Sequence, residues 1–177
     1  SKNNLNGIFM EIPEDNANLN NKKNKALNKY KNKYGDHVAL YYMLRDFIDT
    51  KDRKNFCFSN FMKYSVLDKA FNYLRRLKYS NQIMDQLKKI QVDNTINNMN
   101  LEERITKSVF EGYKIRVATK NGDYYDCPTI DGKKNKIEIS RSTFLTSKPK
   151  QVVYTELFVS KNDENTNINI NLCSTII

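Results

Sequence analysis

The hydrophobic period of this chain changes at Gly112. Before it, apolar residues recur at helical spacing; after it, they alternate with a period of two. Helical stripes followed by short alternating runs, each closed by a turn signal, restrict the fold to an α+β arrangement with segregated helices and strands.

The first stripe lies in "GDHVALYYMLRDFIDT", where Leu40, Met43, Leu44 and Phe47 share one face. Asp36 is expected as its N-cap, since a carboxylate can accept the orphan amides of a first turn. A second, longer helix is predicted by Leu67, Ala70, Phe71, Leu74 and Leu77, continuing through Ile83 or Met84, Leu87 and Ile90. Asn100 followed by Glu103 reads as a capping box, with Asn replacing the usual Ser or Thr, and predicts a helix over 101–111. Upstream, "NANLNNKKNKALNKYKNKY" is a polar, charged, low-complexity run. It is expected to be a solvated loop fraying into a short helix over 26–34, with a basic RNA-attracting arm as the sharper reading.

The strands are read as "YKIRVAT", alternating around Ile115, Val117 and Thr119, then "YYDCPT", "KIEIS", "VVYTELFVS" and "ININ". Asn121-Gly122-Asp123 separates the first two, because Asn and Gly tolerate the positive φ of a tight hairpin turn. The predicted fold class is therefore α+β: a helical subdomain followed by a five-stranded antiparallel OB-fold-like β-barrel. Three segments are expected: 1–34, partly disordered; 35–98, helical; and 99–177, the barrel. In "QVVYTELFVSK", Val152, Tyr154, Glu156 and Phe158 fall on one face, and Val153, Thr155, Leu157 and Val159 on the other. Two apolar faces imply a barrel interior on one side and the helical domain on the other. Glu156 is then expected to act as a structural clasp, paired with Lys, Arg or a backbone amide.

A formal net charge of +10 points to an acidic partner, nucleic acid first. The bland alternative is a solvated surface in a Lys- and Asn-rich coding background. No apolar run approaches the roughly 18 residues of a membrane span, and no signal peptide opens the chain. The absence of a starting Met suggests that Ser1 is a cut point in a longer protein. Cys57, Cys127 and Cys173 form no metal or disulfide pattern, so an intracellular, reducing compartment is expected. There is no phosphate-binding Gly loop and no zinc-protease helix. The single histidine, His37, is assigned to packing or capping rather than to a triad. No catalytic residue, metal or cofactor is assigned.

A small barrel binds single-stranded nucleic acid through cations and aromatics. Lys114, Arg116 and Lys120 lie on or beside the first strand, and Lys133, Lys134 and Lys136 at the second turn. Tyr113, Tyr124 and Tyr125 could stack bases or serve the core.

Several blocks resemble the C-terminal region of DEAH-box ATP-dependent RNA helicases. They are "GDHVALYYMLRDF", "FCFSNFMKYSVLDKA", "FEGYKIRVATKNGDYYD", "KIEISRSTFL" and "SKPKQVVYTELFVSK", in the family's order, over roughly residues 26–177. The resemblance implies the end of a ratchet-like helical domain followed by an OB-fold domain. Ile139-Ser140-Arg141-Ser142-Thr143 stands where the family has Ile-His-Pro-Ser-Ser. Leu74 and Arg76 stand where its ratchet helix has Arg and Gln.

The expected function is thus the non-catalytic C-terminal part of such a helicase, clamping single-stranded RNA and docking regulatory proteins of the G-patch activator type. RNA-binding residues would be Arg75, Arg76, Lys114, Arg116, Lys120, Lys133, Lys134, Arg141, Ser142 and Thr143. ATP and Mg would belong to the RecA-like domains of the parent helicase, which are themselves expected partners. RNA processing such as mRNA splicing, and the nucleus, are the expected setting. The alternatives are a protein-interaction module and a free-standing OB-fold RNA-binding protein.

Overall fold

A computed structural model describes residues 5–13, 15–78, 98–128, 136–162 and 165–177. In chain order the helices are α1 (Leu5–Ile8), α2 (Ala17–Leu27), α3 (Asp36–Asp49), α4 (Arg53–Ser59), α5 (Tyr64–Lys78) and α6 (Leu101–Tyr113). The strands are β1 (Val117–Asn121), β2 (Tyr124–Asp126), β3 (Lys136–Ile139), β4 (Gln151–Asn162) and β5 (Asn165–Thr175). The fold is α+β, as expected. The chain divides into two compact units.

The helical unit comprises Asn6–Lys29 and Tyr42–Met99. Its α2 forms within the Asn/Lys-rich run and begins well before residue 26, where the sequence suggested a helix. The cause is local: the Asn16 side chain accepts the Leu19 N–H at 3.1 Å, capping the first turn. Asp52 does the same for α4 through the Asn55 N–H at 3.0 Å. Phe9, Leu27, Met43, Phe47, Cys57, Met62 and Leu67 are buried. Burying each large apolar side chain is worth about 1.5–3 kcal/mol. The Phe47 ring meets Phe56 and Tyr64 at centroid distances of 6.4 and 5.9 Å. The Arg53 guanidinium lies 4.3 Å from the Phe71 ring centroid and donates to the Ile48 carbonyl at 3.3 Å. Along α5 the expected stripe buries Leu67, whereas Leu74 is 43% exposed. The expected continuation over 83–90 lies outside the described residues.

The sheet unit comprises Ser1–Leu5, Tyr30–Tyr41 and Asn100–Ile177. Both arms of the expected capping box are made at α6: the Glu103 N–H donates to Asn100 Oδ1 at 2.9 Å, and the Asn100 N–H to Glu103 Oε2 at 3.0 Å. The strand order is β2-β1-β4-β5-β3. Pairing is antiparallel except between β3 and β5, which run parallel from Lys136↔Asn167 to Ile139↔Ile170. The expected antiparallel-only pairing is therefore corrected to a mixed sheet, whose edges, β2 and β3, are not hydrogen-bonded to each other among the described residues. The reason is topological. The chain leaves β3, forms β4 beside β1, and returns as β5 between β4 and β3. On that return β5 runs parallel to β3, a direction that alternation in a sequence does not encode.

One core draws on all five strands: Ala118, Tyr125, Ile137, Val152, Tyr154, Ile168 and Ile170 belong to a single buried cluster. Ile115, expected as an inward strand residue, instead lies in the turn after α6 and is 76% exposed. There the Arg116 N–H still closes back on the Tyr113 carbonyl at 2.7 Å. Ala118 is the wholly buried residue of β1. Val153 is also wholly buried but lies outside that cluster. Helix α6, of the same unit, packs on β4 and β5, so the two apolar faces of "QVVYTELFVSK" both find cover at its start. Glu156 is half-buried, across the ladder from the buried Asn171.

Gly35 has φ +120°, and a Cβ there would collide with the Cys173 carbonyl oxygen and sit 2.8 Å from the Ser174 Cα. Both obstacles are backbone, so no rotamer change relieves them. Gly35→Ala is expected to lower the unfolding free energy by about 2–3 kcal/mol in a urea titration. A loss below about 0.5 kcal/mol would show that the close approach is not maintained.

Candidate nucleic-acid interface

Residues 31–37 run through the sheet unit as a strap between its loop at 143–146 and the end of β5. The Asn32 N–H donates to the Phe144 carbonyl at 2.9 Å, and the Asn32 carbonyl accepts from the Thr146 N–H at 3.0 Å. The Asn32 side chain accepts from the N–H groups of Tyr34 and Gly35, at 2.8 and 2.7 Å, forming a tight Asx turn. At the other side the Thr175 N–H donates to the Tyr34 carbonyl, and the Thr175 hydroxyl to the Lys33 carbonyl, both at 2.9 Å.

Asp36 ties the strap at both ends. It is 1% exposed. Its Oδ1 accepts from the Thr143 hydroxyl at 2.8 Å and the Phe144 N–H at 2.6 Å; its Oδ2 accepts from the Cys173 N–H at 2.8 Å. Burial pushes its pKa up, opposed by these three donors and by the charge of Lys31. The expected N-cap role is corrected: Asp36 is the first residue of α3, and its carboxylate serves tertiary contacts. Leu172, with φ 49°, turns β5 just before Cys173 offers its N–H. His37 Nδ1 lies 2.9 Å from the Ser174 hydroxyl oxygen, and burial lowers the His37 pKa to about 4. Ser174 is wholly buried and His37 half-buried.

The loop held by Asp36 borders an open cleft of about 430 Å³. Arg141 and Lys148 bring cations to it, and Glu138 a carboxylate. Ser140, Thr143, Thr146 and Ser147 bring hydroxyls. The Thr143 hydroxyl is committed to Asp36, and the Ser140 hydroxyl lies 2.9 Å from that of Ser142. Thr146 and Ser147 are exposed. The segment after the cleft lies along the β1–β2 hairpin. There Lys148 Nζ donates to the Asp123 carbonyl at 3.4 Å, the Tyr125 hydroxyl to the Pro149 carbonyl at 2.8 Å, and the Lys120 N–H to the Lys150 carbonyl at 2.8 Å. Lys120, Arg141, Lys148 and Lys150 are all exposed on these neighbouring segments.

Of the residues expected to bind RNA, Arg141 and Thr143 line the cleft and Lys120 lies on the adjoining hairpin. Ser142 is half-buried beside Ser140. Lys114 is paired with Glu111 at 2.8 Å. Arg116 donates to the Thr155 carbonyl and lies 5.6 Å from the Tyr113 ring centroid. Arg75 and Arg76 are exposed on α5 in the helical unit. Lys133 and Lys134 lie outside the described residues. Glu138, Thr146, Ser147 and Lys148 were not singled out from the sequence. The run "TSKPK", two lysines flanking a proline next to hydroxyls, was the available signal.

Among the described residues, no group of three or more His, Cys, Asp or Glu could hold a metal ion. Among them, too, no helix is long and apolar enough to cross a membrane. No protein-family model matches the chain.

Removing the Asp36 carboxylate strands three donors. Asp36→Ala is expected to lose about 3 kcal/mol of stability in urea unfolding, and Asp36→Asn, which keeps one acceptor oxygen, about half of that. The pH dependence has a defined sign. A carboxyl whose folded pKa is raised binds its proton better in the folded state, so its stabilising contribution is present at low pH. It is lost as pH rises from the ordinary value near 3.8 through the raised folded value. Relative to Asp36→Asn, the wild type should therefore lose stability across that window. A gain there would show that the three donors outweigh burial.

Proposed function

We propose that this chain is the non-catalytic C-terminal part of an ATP-dependent DEAH-box RNA helicase, and that its sheet unit holds single-stranded RNA by phosphate contacts. In this reading the sheet is an OB-like barrel. Support comes from the single core shared by all five strands and from the close approach of the two edge strands, β2 and β3. Two sequence blocks that resemble the helicases, "GDHVALYYMLRDF" and "KIEISRSTFL", are also bonded to each other through Asp36.

The observation that carries the RNA reading is the gathering of exposed cations around one cleft and hairpin: Lys120, Arg141, Lys148 and Lys150. Lysine and arginine there neutralise phosphates without reading bases, so the binding is tolerant of sequence. ATP hydrolysis would belong to RecA-like domains of the parent protein, and the setting would be nuclear RNA processing. A second reading, a module that docks activator proteins, draws on Tyr113 at the end of α6 and Ile115 in the turn after it, 41% and 76% exposed.

Binding of a labelled oligouridylate to the full chain, followed by fluorescence anisotropy, tests the proposal. Four phosphate contacts imply that log affinity falls with log salt at a slope of about −3. The double variant Arg141→Glu, Lys148→Glu should bind more than about tenfold more weakly at low salt. A salt-insensitive affinity, or equal binding by the variant, would reject the RNA reading and favour protein docking.

A further inference from the structure

A carboxylate stands among the cations of the cleft. Glu138 lies on β3 in "KIEIS", is exposed, and shares the cavity with Arg141 and Lys148. In a site built only for phosphate, a carboxylate in the same cavity weakens binding, because like charges repel. Nor is Glu138 spent on a neighbour: among the described residues it forms no ion pair with either cation. An ionised carboxylate only accepts hydrogen bonds, so the ligand group that meets it must donate. The sugar–phosphate backbone of RNA carries one such donor, the ribose 2′-hydroxyl, which DNA lacks.

We propose that this cleft seats the sugar–phosphate of one ribonucleotide and selects RNA over DNA. The phosphate lies against Arg141 and Lys148, with the exposed hydroxyls of Thr146 and Ser147 as neutral donors, and the 2′-hydroxyl donates to Glu138. This inference rests on the RNA-binding reading above and deepens it. The cleft's volume of about 430 Å³ falls in the range of small-molecule sites, about 300–1,000 Å³. Its wall includes Thr143, whose hydroxyl Asp36 holds, and Glu138, which the strand β3 carries.

The test compares oligouridylate with oligodeoxyuridylate of equal length, which differ only at the 2′ position, on the full chain. The wild type should prefer the ribo form about tenfold, the worth of one hydrogen bond to a charged acceptor. In Glu138→Ala the ratio should fall to near one, even though removing a negative charge strengthens binding of both. In Arg141→Ala both affinities should fall together and the ratio should stay. A wild type that binds the two equally, or an unchanged ratio in Glu138→Ala, would overturn ribose selection while leaving nucleic-acid binding in place. Failure to bind either oligonucleotide would overturn both the inference and the reading beneath it.

Discussion

The buried carboxylate of Asp36 holds together three stretches that are far apart in sequence: the start of α3, the loop at 143–144 and the end of β5. A carboxylate at 1% exposure is unfavourable unless its oxygens are satisfied. Here two backbone amides and one hydroxyl offset part of that cost, and burial still raises the pKa. Removing any partner would leave a buried polar group without its match, so the three stretches are interdependent. Gly35 permits the backbone approach on one side of Asp36, and His37 bonds Ser174 on the other. The tripeptide Gly35-Asp36-His37 thus acts as one joint.

The cleft is a consequence of this joint. Phe144 and Leu145 are buried within the loop while Arg141, Thr146, Ser147 and Lys148 reach solvent or the cavity. Without an anchor, a loop carrying several cations would spread to relieve their repulsion. Tied at Thr143 and Phe144, and laid along the β1–β2 hairpin at Pro149 and Lys150, it holds its charges on one surface. The strong net positive charge of the chain thereby acquires a location as well as a sign.

Much of the fold was legible in the sequence because local chemistry decides it. The change of period at Gly112, the Asn100–Glu103 capping box and the turn signal at Asn121-Gly122-Asp123, where Gly122 takes positive φ, each specify structure within a few residues. The parallel pairing of β3 with β5 was not legible, since alternation reports burial and not strand direction. Nor was the role of Asp36. An acid at a helix start has the same sequence signature whether it caps its own amides or accepts from others over a hundred positions away. Glu156 drew attention as the acid in an apolar strand, while the buried carboxylate of Asp36, which joins three distant stretches, did not. The basic residues were visible as a set, but only the folded loop shows that Arg141 and Lys148 share a cleft while Lys114 and Arg116 are occupied by Glu111 and the Thr155 carbonyl.

Amide hydrogen exchange at Phe144 and Cys173 tests the central role of Asp36 most directly. Both N–H groups donate to its carboxylate, at 2.6 and 2.8 Å. They should exchange as slowly as the amides of the core strands, through global unfolding alone. If instead they exchange at the rate of the amides of the exposed residues Ser147 and Lys148, the loop is not held by Asp36, and the cleft has lost its anchor.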